Sequence, residues 1–287
     1  MTDLTQLSEV TATSPTERTA TPRHYLMCRP DHFTVSYEIN PWMDKTRLTD
    51  RDLAVAQWET LYETYLAWGH TVDLIDPAPG LPDMVFAANG ATVVDGLVYS
   101  AKFRYPERQP EGPLYEKWFA DHGYMTQTAA EVNEGEGDIL LVGDTFLAGT
   151  GFRTDPASHG ELARLTGREV VTLELVDPRF YHLDTALSVL DSRPGHELVA
   201  YHPQAFSPAS QAVLAERYPD AVMATEADAV ALGLNAVSDG LHVVVAPAAV
   251  DLKAALTERG FEVHPVATTE LLKGGGGAKC CTLEIRS

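Results

Sequence analysis

Ile139-Leu140-Leu141-Val142-Gly143-Asp144-Thr145-Phe146-Leu147-Ala148 reads as two short apolar strands joined at Gly143-Asp144. Such a turn pair accepts the positive φ that a tight hairpin needs. Downstream lie a helical segment at about Ser158 to Thr166 and a further strand at Val170 to Leu175. The same order of hairpin, helix and strand recurs on both sides. Upstream, Ala91–Val94 and Leu97–Ser100 flank Asp95-Gly96, with a helix at 112–122. Further along come Leu187–Leu190, Glu197–Tyr201, a helix at Ser207–Tyr218 and Ala221–Ala224; then a hairpin around Asp239-Gly240, a helix at 249–259 and a strand at 261–265. Nearest the N-terminus, His24–Cys28 leads through Arg29-Pro30-Asp31-His32-Phe33 into an amphipathic helix at Leu53–Trp68, closed by Gly69 and followed by Thr71–Ile75. One unit about every 40 to 60 residues predicts a repeated supersecondary element rather than two unrelated domains.

Composition sets the outer bounds. A chain of 287 residues can bury a substantial core without disulfide or metal staples. The balance of 21 Lys plus Arg against 41 Asp plus Glu, a formal charge of −20, argues against nucleic acid or an anionic membrane as partner and favours a small cationic one. No run of eighteen apolar residues occurs, and the N-terminus lacks a basic-then-apolar signal layout, so the expectation is a cytoplasmic enzyme with reduced thiols. Residues 1–22, rich in Thr, Ser and Pro, read as a flexible leader, and 23–287 as a single folded domain.

Four islands carry the polar chemistry. Cys280-Cys281-Thr282 follows the glycines Gly274 to Gly277 and holds two of the three cysteines. Adjacent cysteines are poorly placed to bridge one another, which leaves two readings, core packing on a terminal strand or a thiol delivered to the mouth of a pocket. Asn133-Glu134-Gly135-Glu136-Gly137-Asp138 sets acids among glycines just before an apolar strand, either to approach a ligand or as a solvated turn. In His182-Leu183-Asp184 the period of a strand would point both polar side chains to one face, for proton transfer or for mutual satisfaction in packing. Asp83 and Asn89 bracket an apolar stretch, Asn89 either reading a ligand or taking a left-handed conformation before Gly90.

Taken in order, Asp83-x-Val85-Phe86, Glu134-Gly135-x-Gly137-Asp138, His182-Leu183-Asp184 and a glycine tract ending in Cys280-Cys281-Thr282 resemble the guanidino-modifying, or amidinotransferase, superfamily over roughly residues 23–287. Its members include arginine deiminases, dimethylarginine dimethylaminohydrolases and arginine dihydrolases. The resemblance implies an α/β fold, a five-bladed pentein-type propeller of ββαβ-like repeats with a central active site. It implies Cys280 as nucleophile with Cys281 packing beside it, His182 as general acid and base, and Glu134 as its acidic partner, with Glu136 in reserve. It implies Asp184 as a guanidinium clamp, Arg153 and Arg108 as grips for a substrate carboxylate, and Asp83, Asn40 and Phe86 among the substrate-binding residues. Neither metal nor organic cofactor is expected. A homo-oligomer is left open.

Asn89 departs from the pattern of deiminases and dimethylarginine hydrolases, which have aspartate there. Phe86-x-Ala88-Asn89 and Ile39-Asn40-Pro41-Trp42-Met43 are instead similar to arginine dihydrolases, so the resemblance implies conversion of arginine to ornithine, carbon dioxide and ammonia. The alternative is dimethylarginine hydrolysis to citrulline and dimethylamine. Amidino transfer to an amine, or a non-catalytic propeller used for binding, are remoter readings.

Overall fold

A computed structural model describes residues 18–286. Strand β1 (His24–Cys28), helix α1 (Arg51–Ala67) and strand β2 (Thr71–Ile75) form the first unit, with β1 and β2 parallel from His24 opposite Thr71 to Cys28 opposite Ile75. The second is β3 (Ala91–Val94), β4 (Leu97–Ser100), α2 (Glu111–Asp121) and β5 (Met125–Gln127). The third is β6 (Ile139–Val142), β7 (Thr145–Thr150), α3 (Pro156–Thr166) and β8 (Glu169–Glu174). Next come α4 (Leu183–Ala186), β9 (Leu187–Asp191), β10 (Leu198–Tyr201), α5 (Pro208–Arg217) and β11 (Val222–Met223). The last full unit is α6 (Glu226–Val230), β12 (Val237–Ser238), β13 (His242–Val245), α7 (Val250–Glu258) and β14 (Glu262–Pro265), and β15 (Leu283–Glu284) ends the fold.

Each unit makes a three-stranded sheet in which a hairpin pair is antiparallel and the helix returns the chain to a parallel third strand. The hairpin turns behave as read: Asp95 and Gly96 have φ of 51° and 73°, and Gly143 has 58°. The first unit lacks an inner strand of its own. β15 supplies it, pairing antiparallel with β1 so that Leu283 opposes Leu26, and the two ends of the chain complete one blade. The result is a five-bladed α/β propeller, as the resemblance implied.

Burial explains which strand faces the centre. β3 is buried at every residue and β6 at all but Leu141, whereas β8 reads exposed at Glu169, Thr172 and Glu174. Strands covered on both faces are apolar throughout, and edge strands carry charge. Inner strands therefore crowd together, β9 lying beside both β6 and β12, and β15 beside β3. Among the described residues no helix is long and apolar enough to cross a membrane.

The leader assigned to residues 1–22 falls outside the described residues up to position 17. Its last part lies against the body: the Arg18 guanidinium stands 3.5 Å from the centre of the Phe261 ring, and Thr21 N donates to Asp239 O at 2.9 Å.

Candidate active site

Five irregular segments, each just ahead of an inner strand, assemble one buried cluster. Single 3-10 turns at Pro82–Val85 and Ala87–Gly90 precede β3; Glu134 and the 3-10 turn Gly135–Gly137 precede β6; His182 and α4 precede β9. Leu232–Ala236 precede β12, and the glycine tract with Cys280 precedes β15. Repetition of the unit places all five leaders at the same end of the ring.

Local geometry departs from the sequence reading at two of them. His182 and Asp184 do not share a strand: His182 is extended, with φ −120° and ψ 153°, and Asp184 sits in the single turn of α4. Asp138 Oδ1 accepts from Leu183 N at 3.0 Å and Thr185 Oγ1 donates to His182 O at 2.7 Å, so local capping outcompetes the sheet until Leu187. Asn89 likewise is not left-handed, since among the described residues the positive-φ residues other than glycine are Asp95 and Leu232. Gly90 follows it for a steric reason, because a Cβ there would lie 2.4 Å from Tyr115 Cγ.

Cys280 is 2% exposed, beneath the surface rather than at a mouth, and is unbridged, as are Cys28 and Cys281. The glycine tract is what lets it sit there. Gly275 takes φ +89°, and a Cβ at Gly276 would lie 2.3 Å from Phe86 Cε1, so Phe86 packs flat on the tract. Above it, Asn40 Nδ2 donates to Gly274 O at 3.0 Å, Trp42 Nε1 to Arg179 O at 2.8 Å, and Tyr181 Oη to Gly275 O at 2.9 Å. Asn40 thus belongs to a segment strapped over the cysteine loop.

Cys280 Sγ lies 3.2 Å from Asp184 Oδ2 and 3.1 Å from Asn235 Nδ2. Burial, the Asp184 charge and Cys281 push the Cys280 thiol well above its ordinary range. Burial also pushes the Asp184 carboxyl up to about 7, against the opposing pull of Lys279. His182 Nε2 meets Glu134 Oε2 at 2.8 Å, and Arg153 Nη1 donates to the same oxygen at 2.9 Å. Burial alone would raise the Glu134 carboxyl, but Arg153, the His182 contact and Arg108 override it and hold it well below the usual carboxylate range. Arg153 also donates from Nη2 to Ile39 O at 2.9 Å, its guanidinium lying 4.7 Å and 4.6 Å from the Tyr105 and Tyr181 ring centres.

Glu136 has another occupation. It accepts from Lys279 Nζ and from Glu284 N, each at 2.9 Å, and pairs with Arg286. It ties β15 to the third blade and has no contact with His182. Glu136→Gln weakens the pairing of two partly buried cations, of which Arg286 keeps Glu284, and is expected to cost about 1–3 kcal/mol of stability, read as a lowered thermal midpoint. Glu134→Gln is expected instead to lower turnover by about 10²- to 10⁴-fold through loss of the imidazole's partner. Equal effects of the two changes on turnover per folded molecule would contradict this division.

Arg108, expected as a grip for a substrate carboxylate, already has protein partners. Glu111 holds its guanidinium in a bidentate pair at 3.0 and 2.7 Å, and Nη1 donates to Asn89 Oδ1 at 2.6 Å. Burial of Glu111 pushes its carboxyl up to about 7 even against that cation. The contact orients the Asn89 amide, leaving Nδ2 weakly engaged with Glu134 O at 3.4 Å. Gly137 makes room for it, since a Cβ there would fall 2.2 Å from Asn89 Nδ2. Asp83 takes a hydrogen bond from Tyr37 Oη at 2.9 Å.

Sequence reading missed Asn235, Glu111 and Tyr37. Asn235 had a usable signal, a lone amide in the apolar run Leu232-Gly233-Leu234-Asn235-Ala236-Val237 just ahead of an inner strand. Asp184 Oδ1, Asp83 Oδ1 and His182 Nδ1 are buried with no hydrogen-bond partner among the described residues. A buried acceptor without a donor costs about 1–3 kcal/mol, so the cluster suits a ligand rich in N–H donors and positively charged. Among the described residues no group of three or more His, Cys, Asp or Glu is arranged to hold a metal ion.

No family model matches the chain. It is 53% identical over 272 residues, 95% of its length and 89% of the relative's, to an N(G),N(G)-dimethylarginine dimethylaminohydrolase of Mycobacterium tuberculosis. It is 40% identical over 267 residues to the bifunctional arginine dihydrolase/ornithine cyclodeaminase ArgZ of Synechocystis, of which it spans 37%. The N-terminal domain of ArgZ, solved as a mutant bound to substrate, superposes with a TM-score of 0.87 at 38% identity, covering 92% of this chain and 98% of that one. A dimethylarginine dimethylaminohydrolase adduct shares the fold at a TM-score of 0.73 and 18% identity, covering 92% of this chain and all of that one.

Proposed function

The chain belongs to the guanidino-modifying family of arginine dihydrolases and dimethylarginine dimethylaminohydrolases, and on that premise we propose that it hydrolyses arginine twice, to ornithine, carbon dioxide and ammonia. The observation that carries the reading is the Cys280 thiol held 3.2 Å from Asp184, a carboxylate whose second oxygen is buried without a donor. A guanidinium supplies both the charge and the N–H groups that this pair calls for.

The reaction follows from the charges. Without a ligand the thiol and Asp184 repel a shared negative charge, which keeps sulfur protonated. A guanidinium bound to Asp184 offsets that charge, so the substrate itself favours the thiolate. Sulfur attacks the guanidino carbon, and the carbon becomes tetrahedral. His182, oriented through Nε2 by Glu134, delivers a proton to the leaving nitrogen and ammonia departs as the C–N bond breaks. The imidazole then takes a proton from water, whose oxygen adds to the same carbon and releases the thiolate and a ureido product. A second attack on the ureido carbon cleaves the bond to the side-chain nitrogen, and water on the resulting thiocarbamate gives carbamic acid, which splits into carbon dioxide and ammonia.

Asp83, Arg153 and Arg108 are the groups we assign to the amino and carboxylate ends of the substrate; Arg108 would share its fork with Glu111 and Asn89 to do so. Asn40 and Phe86 enclose the ligand with the glycine tract. Three unbridged thiols suit a reducing, cytoplasmic setting.

Dimethylarginine hydrolysis is a second reading, favoured by the relative that is 53% identical. Asn89 favours the dihydrolase, because a neutral amide fits a neutral ureido intermediate. Incubating the purified protein with arginine and, separately, with asymmetric dimethylarginine and identifying the products decides between them. Ornithine from arginine is expected. Citrulline as the sole end product would overturn the dihydrolase reading, and dimethylamine from the methylated substrate alone would establish the other.

A further inference from the structure

Asn235 stands between the fourth blade, the fifth blade and the cysteine loop, and its side-chain amide is fully used. Oδ1 accepts from Cys280 N and from Gly277 N, both at 3.0 Å. Nδ2 donates to Asp184 O and to Cys280 Sγ, both at 3.1 Å. An amide offers two donors and two acceptor lone pairs, and here all four find partners. The position of the side chain is fixed in turn by Leu232, whose φ of +52° makes the turn, with Asn235 N donating to Leu232 O at 3.1 Å. Lys279 N donates to Asn235 O at 3.2 Å, adding a backbone tie to the residue beside the nucleophile. Asn235 is 1% exposed, so no bulk water competes for these bonds.

We infer that Asn235 sets the reactivity of Cys280, its amide fixing the loop that carries the sulfur and its Nδ2 proton stabilising the thiolate. The inference rests on the reading of Cys280 as nucleophile. A hydrogen bond to an ionised sulfur is stronger than one to the neutral thiol, so the amide favours the charged form. Asp184, whose Oδ2 lies 3.2 Å from the same sulfur, favours the neutral form. The other titratable groups around the sulfur are Cys281 in its own turn and Tyr181 ahead of α4, while the Lys279 ammonium, bound to Glu136, acts through Asp184. The nucleophile is therefore set between a donor and a carboxylate, and a cation that neutralises the carboxylate leaves the donor's influence in command.

The test reads sulfur directly and needs no guanidino turnover. Cys280 is alkylated with iodoacetamide across pH, the modified peptide is quantified by mass spectrometry, and the midpoint of the rate profile is compared among wild type, Asn235→Ala and Asn235→Asp. Both variants are expected to raise the midpoint by about one pH unit or more, with the rate at the alkaline limit undiminished. An unchanged midpoint in folded Asn235→Ala overturns the assignment. For variants that do not fold, the wild-type protein gives the answer by NMR. One side-chain amide proton must then titrate with the Cys280 midpoint and stop doing so in Cys280→Ser, and no such resonance overturns it equally. Absence of guanidino hydrolysis with a shifted midpoint would sink the proposed reaction and leave Asn235 in its role; hydrolysis with an unshifted midpoint would do the reverse.

Discussion

Cys280→Ala is expected to reduce turnover of arginine by about 10⁴-fold or more, with a thermal midpoint close to that of the parent chain. Covalent attack has no substitute among the neighbours. Cys281 follows immediately in sequence, but it is fully buried in the apolar cluster that contains Tyr25, Trp58 and Tyr65. Burial pushes its thiol far up, with smaller contributions from Cys28 and Asp184. Cys280 Sγ contacts both Asp184 and Asn235, and among the described residues Cys281 has neither hydrogen bond, so it is not placed to take over the attack. Cys281→Ala should therefore keep most of the turnover and lose stability instead, by about 1–3 kcal/mol for a small buried side chain. Activity and melting measured on both variants separate the two roles, and more than a hundredth of parental turnover in Cys280→Ala would refute a covalent mechanism.

Asn89→Asp is expected to convert the end product from ornithine to citrulline while arginine is still consumed. In the parent chain Arg108 holds Asn89 Oδ1 at 2.6 Å, which turns Nδ2, a donor, towards Glu134 and the cluster. A donor there is compatible with the oxygen of a ureido group, and this is what the second round of cleavage must retain. Aspartate keeps the bond to Arg108 but presents an acceptor in place of the donor. It would clamp a guanidinium more tightly through a charge-assisted pair and repel the ureido oxygen that replaces it. Ornithine should fall at least about tenfold relative to citrulline, the loss of one well-placed buried hydrogen bond being worth that factor or more. Time courses of both products from arginine, and from citrulline added directly, measure the partition; an unchanged ratio would remove Asn89 from product control.

Repetition was legible because local chemistry declared it. Asp95-Gly96 and Gly143-Asp144 admit positive φ and punctuate apolar runs of four residues, and the helices follow at amphipathic spacing. Helix limits moved by one or two residues only, Leu53–Trp68 becoming Arg51–Ala67 with Asp50 accepting from Leu53 N as its cap. His182-Leu183-Asp184 was misread in conformation and yet identified in composition. A two-residue period looks the same in a strand and in three residues captured by a cap, and Asp138, 45 positions away, decides which applies. The Glu134 and Glu136 pair shows the same limit. Both are fully buried acids two residues apart, and their division of labour depends on His182 and Arg153 on one side and Lys279 and Arg286 on the other.

The sequence by itself determined the repeating α/β unit and the family, and named the residues proposed for a thiol-based site, since hairpin turns, apolar runs and short motifs are properties of contiguous residues. Only the tertiary structure decided which groups meet. It brought Asn235 to the sulfur, gave Arg108 to Glu111 and Asn89, and set Glu136 aside as a structural tie. The physical reason is that five inner strands converge and place their leaders at one end of the ring. Arg108 and Glu111 are three residues apart, but the other partners there are separated by 19 to 143 residues along the chain, and which donor satisfies which acceptor is settled by the geometry of their meeting.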